Sequence, residues 1–468
     1  MYDLRPMDRT RAGGSVLSTD FTEWTPMLSL LLATLLSSAQ PAVDCHVGAY
    51  RLQDGSSVDI AASEGDTLRW RRIDGSTGKL VHGQHDAWTS TAGWTARPDG
   101  KDVTFTDCSK GGIGFGGMTG QRINFDIHDV VFKGEGGTKL VGRLILPAGT
   151  DKVPIVVLVH GAEHDSARVN DHMQRQLPAE GVGAFVYDKR GTGESGGTYT
   201  QDYSVLANDA VAAVKEAREL AGARAGRVGY RGGSQGGWVA PLAATRTKVD
   251  FVMVGYGLAV SPLEEDREAV ALSLQLKGYD QATIDKAWEI SDAIGLIMSS
   301  NLTQGYDQLD AARNKYRNEP WYKDIRGDFT YIVLPFTADE IREKGKAFMF
   351  NTPWHYDSMA VLKRIKTPQL WMLGEDDIDA PSAETLRRLK SLQAKGLPIT
   401  TALFPHAEHG MTEYELQADG SRLSTRYSDG YMRMTIDYAK GQWHAPYGKS
   451  LMGYPKNASE PTTTAQTP

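Results

Sequence analysis

The stretch Arg227-Val228-Gly229-Tyr230-Arg231-Gly232-Gly233-Ser234-Gln235-Gly236-Gly237-Trp238 decides how the rest of the chain is read. Arg227 to Tyr230 is strand-like and Trp238 to Ala244 is helix-like, so a Gly-x-Ser-x-Gly run sits between a strand and a helix. Such a run forces a sharp turn that lifts the serine oxygen above a sheet, and the flanking glycines keep other side chains away from it. Ser234 is thereby a candidate nucleophile. In a chain with 50 glycines a glycine-rich connector has the same appearance. The weight of the motif therefore rests on what surrounds it.

Working outward, Val153 to Val159 is a continuous apolar run ending in His160-Gly161, and Gly183 to Tyr187 is another. Further strands are expected at Val228 to Tyr230, Phe251 to Val254, Gln369 to Leu373 and Ile399 to Phe404, with helical stretches between them. Fully apolar strands alternating with helices predict a mostly parallel, doubly wound sheet covered on both faces. Chemistry in such sheets gathers at the carboxyl ends of strands. After Gln369–Leu373 come Gly374-Glu375-Asp376-Asp377-Ile378-Asp379, and after Ile399–Phe404 come Pro405-His406-Ala407-Glu408-His409-Gly410. A serine hydroxyl needs a base to take its proton and a carboxylate to hold that base's tautomer. His409, with glycine behind it, is the expected base. The acid lies among Asp376, Asp377 and Asp379.

These motifs, together with the loop Asp188-Lys189-Arg190-Gly191-Thr192-Gly193-Glu194-Ser195, make residues from about 130 to 443 resemble an α/β-hydrolase. The resemblance is to the bacterial serine esterase and peptidase branch that includes dienelactone-hydrolase-like enzymes. It implies Asp377 as the acid, since the family places it in a Gly-x-x-Asp after the seventh strand. It also implies an oxyanion hole formed by the backbone amides of Gln235 and Ala162. The family's frequent His-Gly-x-Gly is interrupted by Glu163, whose carboxylate is expected to face outward or to pair with Arg168. Residues 262–351 are then an inserted helical cap, between core segments 130–261 and 352–443. Its helices are expected at Leu263–Leu276, Gln281–Ile297, Gln304–Tyr316 and Ala338–Met349, and most of its aromatics are expected to form its own core. The implied function is cleavage of carboxylic esters through an acyl-enzyme, with no cofactor and no metal. A peptidase or amidase acting on small peptides, and a non-catalytic binding protein on the same scaffold, are the alternatives.

Composition narrows the partners. The chain has 468 residues, 40% hydrophobic and 23% charged, with a net charge of -7. That balance suits a large globular core and gives no basic stripe for nucleic acid. A small-molecule ester or short peptide is the expected partner. The patterns Gly112-x-Gly114-x-x-Gly117 and Gly191-x-Gly193-x-x-Gly196 satisfy a dinucleotide fingerprint as strings, but the first lacks a following helix and the second belongs to the Asp188 loop. In that loop Asp188 and Arg190 are expected to brace the backbone.

The amino-terminal part reads differently. Met27 to Leu36 is apolar and followed by small residues; it is too short to span a bilayer and has the length of a signal-peptide core. Residues 1–42 are therefore expected to be a leader, with 1–26 an over-called start, and the protein exported to the periplasm or beyond. Residues 43–129 are dense in turn signals such as Asp54-Gly55 and Asp74-Gly75, predicting a small β-rich domain. The two cysteines, Cys45 and Cys108, are expected to form a disulfide in it. The cluster His82-Gly83-Gln84-His85-Asp86 is expected to be a turn rather than a metal site. Residues 444–468 form a polar tail.

Overall fold

The computed structural model describes residues 45–83 and 87–456. The expected leader, the Gln84–Asp86 part of the histidine cluster and the end of the tail lie outside these residues.

The amino-terminal domain is a closed barrel of eight antiparallel strands. They are β1 (Gly48–Leu52), β2 (Ser57–Ala62), β3 (Leu68–Arg72), β4 (Thr77–His82), β5 (Ala87–Thr91), β6 (Pro98–Phe105), β7 (Gly112–Phe115) and β8 (Met118–Arg122). Alternating side chains turn inward, so that Tyr50, Val58, Ile60, Trp70, Leu80 and Phe115 fill the interior. Pairing of β1 with β8, Tyr50 opposite Arg122, closes the barrel and leaves no unpaired edge. Gly116 and Gly117 take positive φ at the β7–β8 turn, so the first dinucleotide-like string is a hairpin. Cys45 and Cys108 are joined, with their Cα atoms 5.7 Å apart. A bridge closing a loop of this length is worth about 4 kcal/mol.

The main domain is built on a nine-stranded sheet in the order β20-β16-β15-β14-β13-β11-β12-β10-β9. Its strands are β9 (Phe125–Lys133), β10 (Lys139–Pro147), β11 (Val153–Val159), β12 (Gly183–Tyr187), β13 (Ala225–Gly233), β14 (Val252–Gly255), β15 (Gln369–Gly374), β16 (Ile399–Phe404) and β20 (Leu451–Gly453). The sheet thus begins at Phe125, slightly ahead of the domain boundary expected at 130. From β12 to β16 neighbouring strands are parallel, and antiparallel β9, β10 and β20 finish the two edges. β11 shows why these strands read as unbroken apolar runs: Ile155, Val157 and Val159 pack on one face, Val156 and Leu158 on the other. Each fully buried side chain of this kind contributes roughly 1.5–3 kcal/mol. The first face is covered by α3 (Tyr203–Ala221), α4 (Gly236–Ala244), α10 (Ser358–Leu362) and α11 (Ser382–Ala394). The second is covered by α1 (Ala167–Asn170), α2 (Met173–Ala179) and α12 (Tyr431–Lys440). After β11 the chain adds β12 on one side and returns to place β13 on the other, so the ends of β11 and β13 meet at a topological switch point.

The cap holds α5 (Pro262–Gln275), α6 (Gln281–Ser299), α7 (Tyr306–Tyr316), α8 (Thr330–Val333) and α9 (Ala338–Lys344). Ser261 starts α5 through a reciprocal capping box with Glu264, and Asp280 caps α6. Ile284, Ile290, Ile294 and Ile297 form the buried face of α6 and pack with Leu274, Leu309 and Trp321 into a core separate from that of the sheet. Trp321 and Phe329 belong to this core, whereas Tyr331 and Phe348 are exposed. A small second sheet, β17 (Ala407–Glu408), β18 (Thr412–Leu416) and β19 (Arg422–Tyr427), projects from the main domain onto the barrel.

Candidate active site

Ser234 sits on the turn from β13 into α4 with φ of 50°, a value an L-residue adopts only under constraint. Two close approaches supply it. A Cβ on Gly232 would lie 2.1 Å from the Gly236 carbonyl oxygen, and one on Gly236 would lie 2.6 Å from that of Val159. Only glycine on both sides lets α4 start this close to the ends of β11 and β13. The Ser234 amide donates to Gly255 O at 3.2 Å, which ties the turn to β14.

His409 and Asp377 come together from the loops after β16 and β15. His409 Nδ1 lies 3.0 Å from Asp377 Oδ2 and 3.2 Å from Oδ1. The carboxylate is buried and held in place by the amides of Asp379 and Ala380, at 3.1 and 2.8 Å from Oδ1. Tyr256, just after β14, packs edge-on against the imidazole with ring centres 4.9 Å apart. A Cβ on Gly233 would meet the Tyr256 hydroxyl at 2.6 Å, so this tyrosine borders both the elbow and the histidine. Buried Arg231 donates to the Tyr256 hydroxyl at 3.1 Å. Among the described residues no hydrogen bond joins Ser234 Oγ to His409. Such contacts are often looser before substrate binds.

The other acids and the other histidine of these two loops are placed differently. His406 is exposed beside Asp376, which accepts from the Tyr414 hydroxyl at 2.9 Å and so is tied to β18. Asp379 is half-buried and close enough to His409 for their charges to interact. Burial alone would lower the His409 pKa, but the negative charges of Asp377, Asp379 and Glu163 push it up to about 9.

The loop after β11 corrects one expectation. Glu163 does not turn outward and does not pair with Arg168, which bonds Asp129 and Glu194 instead. Its carboxylate folds back over Gly161, where a Cβ would lie 2.5 Å from Glu163 Oε2, and reaches 3.5 Å from His160 Nδ1. The missing Cβ of Gly161 makes the room. Asp188 and Arg190 brace the backbone as expected: Asp188 accepts from the Ser166 hydroxyl and the Glu194 amide, and Arg190 forms a two-pronged pair with Asp209 and bonds Glu135 O.

Two groups near the His409–Asp377 pair carry no signal in the sequence. Glu265 of α5 is buried, and Asp328, just before α8, is exposed yet close enough to His409 for their charges to interact. Among the described residues neither carboxylate has a hydrogen bond or an ion pair. The protein packed around its carboxylate and the charges of Asp266 and Asp379 push Asp328 above the ordinary carboxylate range, with His409 opposing them. Burial and the surrounding carboxylates push Glu265 up as well. The one metal-like grouping among the described residues, Cys45, His46 and Cys108, has its two sulfurs bonded to each other.

A doubly wound sheet with a serine elbow at the switch point, an acid and a histidine on the last strand ends, and a helical insertion ahead of β15 defines an α/β-hydrolase. The sequence profile of the X-Pro dipeptidyl-peptidase (S15) family matches residues 136–410, more than half of the chain. The chain belongs to that family, and so to the hydrolases.

The chain is also 31% identical over 58 residues to the acylamino-acid-releasing enzyme of Rattus norvegicus, and 29% identical over 58 residues to that of Homo sapiens. Each match covers 12% of this chain and 8% of the relative's length. Similar solved structures include a Pyrococcus furiosus esterase, at 18% identity and a TM-score of 0.38, covering 61% of this chain and 84% of that one. An acetyl xylan esterase from Paenibacillus sp. R4 aligns at 15% identity and a TM-score of 0.38, covering 69% and 88%.

Proposed function

We propose that the protein cleaves carboxylic esters by acyl transfer through Ser234, His409 and Asp377. The observation that carries this reading is the buried His409–Asp377 pair beside the strained serine turn. Ser234 Oγ attacks the carbonyl while His409 accepts its proton; His409 then protonates the departing alkoxide, and water repeats the sequence in reverse to release the acid. Asp377 holds the Nδ1 proton and stabilises the imidazolium. The amides of Gln235 and Ala162 face the developing oxyanion. Every proton and electron pair in this scheme comes from these residues, the substrate and water. The bridged cysteines favour an oxidising compartment, in keeping with export.

A second reading, cleavage of an amide or short peptide, draws on Glu265 and Asp328. Two unpaired carboxylates near the His409–Asp377 pair suit a substrate that carries an ammonium group close to its scissile bond. Parallel turnover of p-nitrophenyl esters and of aminoacyl and prolyl p-nitroanilides separates the two, and faster anilide turnover would replace the ester reading. In either case Ser234→Ala should lower kcat by roughly 10⁴- to 10⁶-fold with an unchanged circular dichroism spectrum. Substantial activity in that variant would remove Ser234 as the nucleophile, and failure of a fluorophosphonate to label the folded protein would favour a non-catalytic scaffold.

A further inference from the structure

We propose that Lys189 is a positioning residue that builds the oxyanion hole, holding the Gly161 carbonyl so that the Ala162 amide is turned toward the substrate oxygen at Ser234. The inference rests on the reading of Ser234 and Ala162 given above, and extends it to a residue that contacts neither substrate nor nucleophile.

Lys189 follows β12 and is buried, only 3% exposed. Its Nζ donates to Gly161 O at 2.7 Å, and that carbonyl is its hydrogen-bond acceptor among the described residues. A trans peptide is planar, so the carbonyl of Gly161 and the N–H of Ala162 point in opposite directions. Fixing one therefore fixes the other. The next peptide is held from the same loop, because the Tyr199 hydroxyl donates to Ala162 O at 2.7 Å. The two clamps are coupled: Lys189 Nζ stands 4.5 Å from the centre of the Tyr199 ring, and the His164 ring stacks on the same tyrosine with ring centres 3.7 Å apart. Two consecutive carbonyls are thus pinned, while the Ala162 amide between them donates to no acceptor among the described residues. A cation on a carbonyl also polarises its peptide and strengthens the N–H as a donor.

The placement is costly for the lysine. Burial pulls its ammonium down to about 8, and Glu163 and Asp165 offset only part of that. A lysine serving only to cover apolar surface would keep its charged end in water. This one is drawn inward to a single carbonyl at the site where an oxyanion donor is required.

The test compares Lys189→Met, which keeps the length and removes the donors, with Lys189→Arg and Lys189→Ala on a p-nitrophenyl ester. Rates are expressed per active site titrated with a fluorophosphonate, so that only folded protein is counted. Lys189→Met should lose about 10²-fold or more in kcat with little change in KM, the size of effect seen when one oxyanion donor is lost. Lys189→Arg should fall between it and the parent. Methylamine should restore part of the Lys189→Ala rate in proportion to its concentration while leaving the parent unchanged. A purely structural lysine would lower the melting temperature and leave the rate per titrated site intact. A per-site kcat within about threefold of the parent for Lys189→Met, or no response of Lys189→Ala to methylamine, overturns the proposal. Absence of labelling at Ser234 in the parent protein would instead overturn the reading on which it rests.

Discussion

At the scale of single residues, the charges around His409 set the pH at which its base form is available. Its pKa of about 9 lies above the ordinary 6.5 because Asp377, Asp379 and Glu163 outweigh burial. The proton-accepting form therefore grows as pH rises, and kcat/KM for an ester should climb through the alkaline range with a midpoint well above 6.5. The same upward shift adds stability below about 6.5, which is lost as pH rises through about 9. Asp379→Asn removes one of the raising charges and should move the pH–rate midpoint downward while the enzyme stays active. A midpoint that does not fall would show that Asp379 is uncoupled from the base. The residue types of this site were legible: a serine between glycines, a histidine before a glycine and an aspartate three residues after Gly374. The inward turn of Glu163 was not, because it depends on space left above Gly161 by a Cβ that is absent.

At the scale of elements, the long cap helices follow their apolar periodicity and their capping residues closely, since both signals are local. The short ones do not. α8 is one turn, and its start is made by Asp266 of α5, which accepts from the amides of Phe329 and Thr330 at 3.0 and 2.8 Å and from the Ser291 hydroxyl at 2.6 Å. No window of sequence around residue 330 contains that partner. Likewise the helix expected over Ala338–Met349 stops at Lys344 and continues as a tighter 3₁₀ turn through Phe348. Asp266→Ala would leave several buried donors without an acceptor and should destabilise the cap by about 3 kcal/mol or more. Urea denaturation reads this directly, and an unchanged midpoint would show that the carboxylate is dispensable.

At the scale of the whole molecule, the barrel is fastened to the arm that carries His409. The Tyr427 amide donates to Gly75 O at 2.8 Å, the Trp94 amide to Ser424 O at 3.0 Å, and Arg97 pairs with Glu415. The adjoining Ser428 amide donates to Met411 O at 2.8 Å, two residues beyond the histidine. Gly75 has φ of 88°, and a Cβ there would lie 2.2 Å from Tyr427 O. Gly75→Ala should cost more than about 1 kcal/mol of stability through strain alone and, by shifting β19, should also lower kcat. Thermal melting and ester turnover measure the two effects, and a variant that melts and turns over like the parent would show that the contact does not hold the arm. The domain's β-rich character was readable from its turns, but its closure and its seat on β19 were not.

What the sequence determined by itself was the alternation of buried strands and helices, the serine turn, and the order of serine, acid and histidine along the chain. These follow from apolar periodicity, from glycine where backbones meet, and from residue types at strand ends, all of which act over a few residues. The tertiary structure alone decided which partner each buried charge would find. It brought Lys189 to Gly161, Asp266 to Thr330, Glu265 toward Asp377, Asp328 toward His409, and the barrel to β19. A buried charge takes its state from whatever lies within a few ångströms of it, and in this fold those neighbours come from distant parts of the chain.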